Sequence, residues 1–198
     1  VAYAQSGKKT LLIDADLRRP GLTAMLGLRG TDGLSSVIRG QGSTAQLAAA
    51  MVRPSGIDGL DVLSSGPRPT NPAELLASTR FSELLGWAEG AYDQILIDSP
   101  PALATSDTAL IGRLVDGVLL VVQPAKNRRR LVIRAAESFT QLKIPLFGIA
   151  VNRIGSDGNN GYYEYGADYD GDYEDEYQYA EDHNPDDFDT LPEIRRVA

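Results

Sequence analysis

Two short apolar runs that each end in aspartate constrain this chain more than any other feature. In residues 11–16, LLIDAD, the run Leu11, Leu12, Ile13 leads into Asp14 and Asp16. In residues 95–98, ILID, a similar run ends in Asp98 and is broken at Pro100 and Pro101. Continuous apolar runs of this length suit strands covered on both faces, as in a parallel sheet packed between helices. In open sheets of that kind, ligands bind beyond the carboxyl ends of the strands, where these acids fall. Asp14 and Asp16 lie two apart, so on an extended backbone both point the same way and can address one cation or one proton. Each acid alone also reads as a turn cap. Their pairing, with Arg18 and Arg19 directly after the first run, reads as a phosphate site.

The rest of the body alternates in the same manner. Residues 1–6, VAYAQS, read as the end of a helix stopped by Gly7, with Lys8 and Lys9 near its negative end. A six-residue helix with no N-cap and no initiator Met reads as cut, so a fragment with an upstream part is expected. Residues 21–42 suggest short helices and loops over the sheet edge, 44–51 a helix, and 60–64 a strand. Residues 64–76, SSGPRPTNPAELL, form a proline-rich loop feeding a helix. Asn71 is placed as its N-cap, Pro72 as its first residue and Glu74 as a capping-box acid. That helix is expected to run to about Trp87, with Leu75, Leu76, Leu84, Leu85 and Ala88 facing the core. Residues 106–114 and 128–142 read as helices, and 117–122 and 146–151 as strands. The result is about five strands alternating with helices, a doubly wound, mainly parallel α/β sheet flanked by helices.

Composition bounds the chemistry. The chain lacks Cys and has one His, His183. A disulfide framework, a thiolate or His-based metal site and a Ser-His-Asp triad are therefore not expected. No apolar run approaches the roughly 20 residues needed to span a bilayer. A cytoplasmic protein is the default. The net charge of −8 divides unevenly: residues 1–154 carry 17 Lys/Arg and 13 Asp/Glu, whereas residues 155–198 carry 2 and 14. Seven of the nine tyrosines also lie in the acidic part, as Tyr162, Tyr163, Tyr165, Tyr169, Tyr173, Tyr177 and Tyr179. With almost no aliphatic residues before Leu191, that segment cannot offset its ordering entropy and is expected to be a disordered tail. The cluster Arg128, Arg129, Arg130 reads first as a solvated helix start, and second as a place for an acidic peptide or phosphate.

Together these residues resemble the bacterial tyrosine kinases of capsular and exopolysaccharide export, relatives of the ParA/MinD-type P-loop ATPases. LLIDADLRRP is similar to their Walker A′ motif, ILIDSPP to their Walker B, and SSGPRPTNPAELL to the connection between. GIAVNR is similar to the strand whose Asn contacts adenine. The resemblance implies a P-loop fold in residues 1–154, with ATP and Mg²⁺ as cofactors. It implies that Asp98 and one Walker A′ carboxylate, Asp14, position the metal, and that Asp14, assisted by Asp16, accepts the proton of an attacking tyrosine. The two roles are exchangeable at this stage. Arg18 is assigned to phosphate or a neighbouring subunit, with Arg19 beside it, and Asn152 with Arg153 to the nucleotide base. The seven tail tyrosines become phosphoacceptors, modified in trans within a ring-shaped homo-oligomer. Further implied partners are a transmembrane polysaccharide co-polymerase or activator domain, upstream in the same chain or separate, and a counteracting tyrosine phosphatase. No nucleic acid is expected, and the location implied is the inner face of the cell membrane.

One departure bears on activity. The Walker A loop, G-x-x-x-x-G-K-[ST], occurs nowhere in the 198 residues. The fragment by itself is therefore expected to bind ATP poorly. The rival reading is a ParA/MinD-like positioning ATPase, which would share the sheet, Asp14 and Asp98 but would not need the tyrosine-rich tail. A silent scaffold whose tail recruits partners is a third.

Overall fold

A computed structural model describes residues 1–154 of the chain. After a short helix α1 (Ala2–Gln5), Gly7 takes a positive φ of 85° and turns the backbone into β1 (Thr10–Asp14). Three helices follow, α2 (Gly21–Met25), α3 (Leu34–Arg39) and α4 (Thr44–Met51), the last capped by the Ser43 hydroxyl on the Gln46 amide. Then come β2 (Arg53–Ile57), β3 (Leu60–Leu63), α5 (Pro72–Leu76), α6 (Thr79–Ala91) and β4 (Gln94–Asp98). The remaining elements are α7 (Asp107–Gly112), β5 (Val118–Val122), α8 (Arg129–Gln141) and β6 (Leu146–Val151).

The first four strands form one sheet in the order β2-β3-β1-β4, with β1 parallel to both neighbours. β5 and β6 form a separate parallel pair. The α/β architecture with a mainly parallel sheet and flanking helices is the one the sequence points to. β1 lies inside the four-stranded sheet, between β3 and β4, and its Leu11 and Ile13 are wholly buried on one face. They pack in one cluster with Leu34, Val37, Leu63, Leu76, Phe81 and Leu84. β4 and β5 each pair along one edge only among the described residues. Leu119, Val121, Phe147, Ile149 and Val151 of β5 and β6 remain exposed despite being apolar.

Two features differ from the sequence reading. β2 was not expected, since Pro54 and Gly56 oppose a strand, but it pairs antiparallel with β3 at the sheet edge. A strand edge tolerates Pro because its missing N–H can face away from the ladder. The Asp58-Gly59 pair between Ile57 and Leu60, with Gly59 at φ 76°, is the hairpin signal that marks it. The helix expected from Pro72 to about Trp87 is instead two, α5 and α6. Ser78 breaks it: its hydroxyl donates to the Leu75 carbonyl at 2.6 Å and its backbone is extended. Asn71 does not cap α5 through its side chain; that amide donates to the Glu74 carboxylate. The tyrosine-rich tail, with Tyr162 through Tyr179, lies outside the described residues.

Candidate active site

Strand register brings the two acidic ends together. β1 and β4 are adjacent and parallel with Asp14 paired to Asp98, and the ladder continues one step as the Ala15 N–H donates to the Asp98 carbonyl at 2.8 Å. The same edge of the sheet therefore carries Asp14, Asp16 and Asp98.

The three carboxylates differ in what they are free to do. Asp14 is fully buried; its Oδ1 accepts from the Asp16 N–H (3.2 Å) and its Oδ2 from the Thr23 N–H (2.7 Å). Both oxygens are thus committed to holding the loop between β1 and α2. Asp16 has one oxygen, Oδ1, pinned by the N–H groups of Arg18 (3.1 Å) and Arg19 (2.9 Å). Its Oδ2 takes part in neither bond. Burial raises the Asp16 pKa, those two amides pull it back, and the charges of Asp14 and Asp107 raise it further. Asp98 ends β4 with its outer side in solvent. Desolvation of its inner side, then the charges of Asp14 and Asp16, push its carboxyl up to about 6.

A buried hydroxyl network supports this edge. The Ser65 N–H donates to Thr23 Oγ1 at 2.9 Å, tying the loop after β3 to the first turn of α2, whose amide holds Asp14. That loop in turn receives α3 at contact distance. A Cβ on Gly33 would stand 2.2 Å from the Ser64 carbonyl, and one on Gly66, at φ 77°, 2.6 Å from Ser35 Oγ. Glycine is required at both for the backbones to meet.

The remaining predicted site residues divide. Arg18, assigned to phosphate or a neighbouring subunit, directs Nε to Asp107 Oδ2 (2.8 Å) and Nη2 to Asp107 Oδ1 (3.1 Å). The reason is a wholly buried carboxylate at the start of α7, which needs a paired cation. Arg19 contributes its backbone amide to Asp16. Asn152 and Arg153 follow β6, where the Asn152 N–H donates to the Val122 carbonyl (2.8 Å) and its Oδ1 accepts from the Arg153 N–H (2.8 Å). Both are exposed, and among the described residues no hydrogen bond joins them to Asp14, Asp16 or Asp98. Arg128, Arg129 and Arg130 are exposed at the start of α8. Thr23, Ser65 and Asp107 were not singled out from the sequence. A lone Asp after Ser106 at a helix start reads as an ordinary cap, which hides Asp107.

As donors, Asp16 and Asp98 suit a hydrated Mg²⁺, which keeps most of its waters and takes one or two carboxylates. No group of three His, Cys, Asp or Glu able to cage a bare ion occurs among the described residues. The phosphates of a nucleotide have no glycine-rich cradle in this sequence.

No protein-family model matches the chain. Among known proteins it is similar to the tyrosine-protein kinase YwqD of Bacillus subtilis, 41% identical over 165 residues, covering 82% of this chain and 68% of that protein. It is also similar to the tyrosine-protein kinase wzc of Salmonella typhi, 39% identical over 175 residues, covering 88% of this chain. The chain spans only 23% of the length of that protein. Among solved structures, the kinase domain of VpsO superposes with a TM-score of 0.71 at 36% identity, covering 78% of this chain and 74% of that one. The septum site-determining protein MinD of Pyrococcus horikoshii shares the fold, with a TM-score of 0.60 at 21% identity, covering 79% of this chain and 63% of that one.

Proposed function

Because this chain belongs to the family of bacterial tyrosine-protein kinases, we propose that residues 1–154 carry the acceptor side of a site that transfers phosphoryl groups from ATP to tyrosine. The observation that carries the reading is the in-register pairing of Asp14 with Asp98, which gathers three carboxylates at one strand edge. Phosphoryl transfer asks chiefly for positioning and charge management, which such an edge supplies.

Bound Mg-ATP would supply the electrophilic phosphoryl group and neutralise its charge. Asp98, on a strand end and open to solvent, would hold the hydrated cation. Asp16, with Oδ1 pinned by two amides and its proton affinity raised by burial, uses Oδ2 to take the proton of the tyrosine hydroxyl. Asp14 holds the loop that aims Asp16, and in this proposal Asp16 rather than Asp14 takes the proton. Asn152 and Arg153 face the base. The phosphate cradle comes from a Walker A segment outside these 198 residues, and the unpaired edges of β4 and β5 are where a further parallel strand fits.

Tyr162, Tyr163, Tyr165, Tyr169, Tyr173, Tyr177 and Tyr179 are the acceptors in this proposal, in the acidic segment 155–198, modified in trans within a homo-oligomeric ring. A transmembrane polysaccharide co-polymerase or activator domain and a tyrosine phosphatase are the partners, and control of capsular or exopolysaccharide synthesis at the inner membrane face is the role. No helix among the described residues is long and apolar enough to cross a membrane. The test is phosphotyrosine mapping by mass spectrometry on the full-length parent protein with Mg-ATP, beside its Asp16→Asn and Asp98→Asn variants. Phosphate on the seven tyrosines in the parent and its loss in both variants is expected. ATP hydrolysis with unmodified tyrosines would replace this reading with a positioning ATPase.

A further inference from the structure

We propose that Asp107 is a positioning residue that, through Arg18, straps the loop carrying Asp16 to the loop that follows Asp98. The inference rests on the reading of Asp16 and Asp98 as the working carboxylates, and deepens it.

The strap is a continuous path of bonds. Arg18 holds Asp16 with its backbone N–H and Asp107 with its side chain, so one residue joins the two. The guanidinium meets the carboxylate in a two-pronged arrangement, which fixes orientation as well as distance. Asp107 and Thr108 open α7, and Thr108 Oγ1 donates back to the Pro100 carbonyl at 2.7 Å, two residues after Asp98. The Asp107 N–H donates to Thr105 Oγ1 at 3.3 Å in the same loop. On its other side the circuit is closed by the β1–β4 ladder, which ends at Asp14 and Asp98. Ala15 and Leu17 of the first loop and Ile111 of α7 share the buried core, and the strap adds the polar link between the two loops at the carboxylate edge.

Like charge at the strand edge acts to separate them. Asp14 and Asp98 are paired in register and Asp16 lies on the same edge; the charge of Asp14 raises the proton affinity of Asp16, and the charges of Asp14 and Asp16 raise that of Asp98. A cation between them would relieve the repulsion, and a strap keeps the edge assembled in its absence. The wholly buried position of Asp107 is otherwise hard to rationalise, since an apolar residue at the start of α7 would carry no desolvation cost.

The experiment is hydrogen–deuterium exchange on the full chain without nucleotide, comparing wild type with Asp107→Asn, Arg18→Gln and the double variant. Each single variant is expected to speed exchange in residues 15–19 and 99–108 by roughly tenfold or more, leaving residues 10–13 and 60–63 unchanged. The double variant is expected to add nothing to either single one, because both remove the same link. A folded variant with unchanged exchange, loosening of only one of the two loops, additive effects, or acceleration spread equally over β1 and β3 would each overturn the strap. Arg18→Gln alters a half-exposed side chain, so the comparison stands even where Asp107→Asn does not fold. The readout needs no kinase activity, so it can fail while the kinase reading holds, and hold while that reading fails.

Discussion

Asp98 holds its proton to about pH 6 in the folded protein, whereas an ordinary aspartate releases it near 3.8. Between those values the native state binds a proton that the unfolded chain has lost, so the contribution of this group to stability is full below about 3.8 and is lost as pH rises through about 6. Asp98→Asn is therefore expected to stabilise the chain by up to about 1 kcal/mol at pH 7.5 after allowing for solvent screening, and by little at acid pH. Thermal denaturation at pH 7.5 and pH 4.5 checks the difference. Asp14→Ala has the opposite sign: it strands two buried amides, of Asp16 and Thr23, and is expected to cost about 2–4 kcal/mol in chemical denaturation. That these acids end strands was legible in the sequence, because an apolar run and its terminal acid are contiguous. Their division of labour was not. It depends on amides contributed by Arg18, Arg19 and Thr23 once the loop has closed.

Among the elements, α6 places Phe81, Leu84, Leu85 and Ala88 in the core cluster that holds Leu11 and Ile13 of β1, and Phe81 is entirely buried. Phe81→Ala leaves a large cavity there and is expected to cost about 3–5 kcal/mol, read from the denaturation midpoint. Gly66→Ala is expected to destabilise the chain by about 1–3 kcal/mol, because it opposes a φ of 77° and meets Ser35 Oγ. The same measurement checks it, with Gly86→Ala, which meets open space in α6, as a control expected to lose nothing. The apolar stripe of α6 was readable at helical spacing. The break at Ser78 was not, since it arises from one hydroxyl competing for the Leu75 carbonyl. β2 was concealed by Pro54 and is an edge strand by virtue of its partner β3 rather than of its own composition.

Over the whole molecule, the edges of β4 and β5 left open among the described residues and the exposed apolar side chains Leu119, Val121, Phe147 and Ile149 make residues 1–154 prone to associate. Leu119→Lys with Phe147→Glu is expected to reduce the sedimentation-average mass at a given concentration; an unchanged mass would place the association elsewhere. The sequence by itself determined the α/β class, most strands and helices, the carboxylates at two strand ends and the division of charge at residue 154. All of these are written in neighbouring residues, through periodicity, capping and local composition. The tertiary structure alone decided the strand order, which carboxylate oxygens stay open, and the partner of Arg18. Those depend on contacts between residues distant in the chain, 42 positions apart for Thr23 and Ser65 and 89 for Arg18 and Asp107, where the choice of partner follows from burial and not from local pattern.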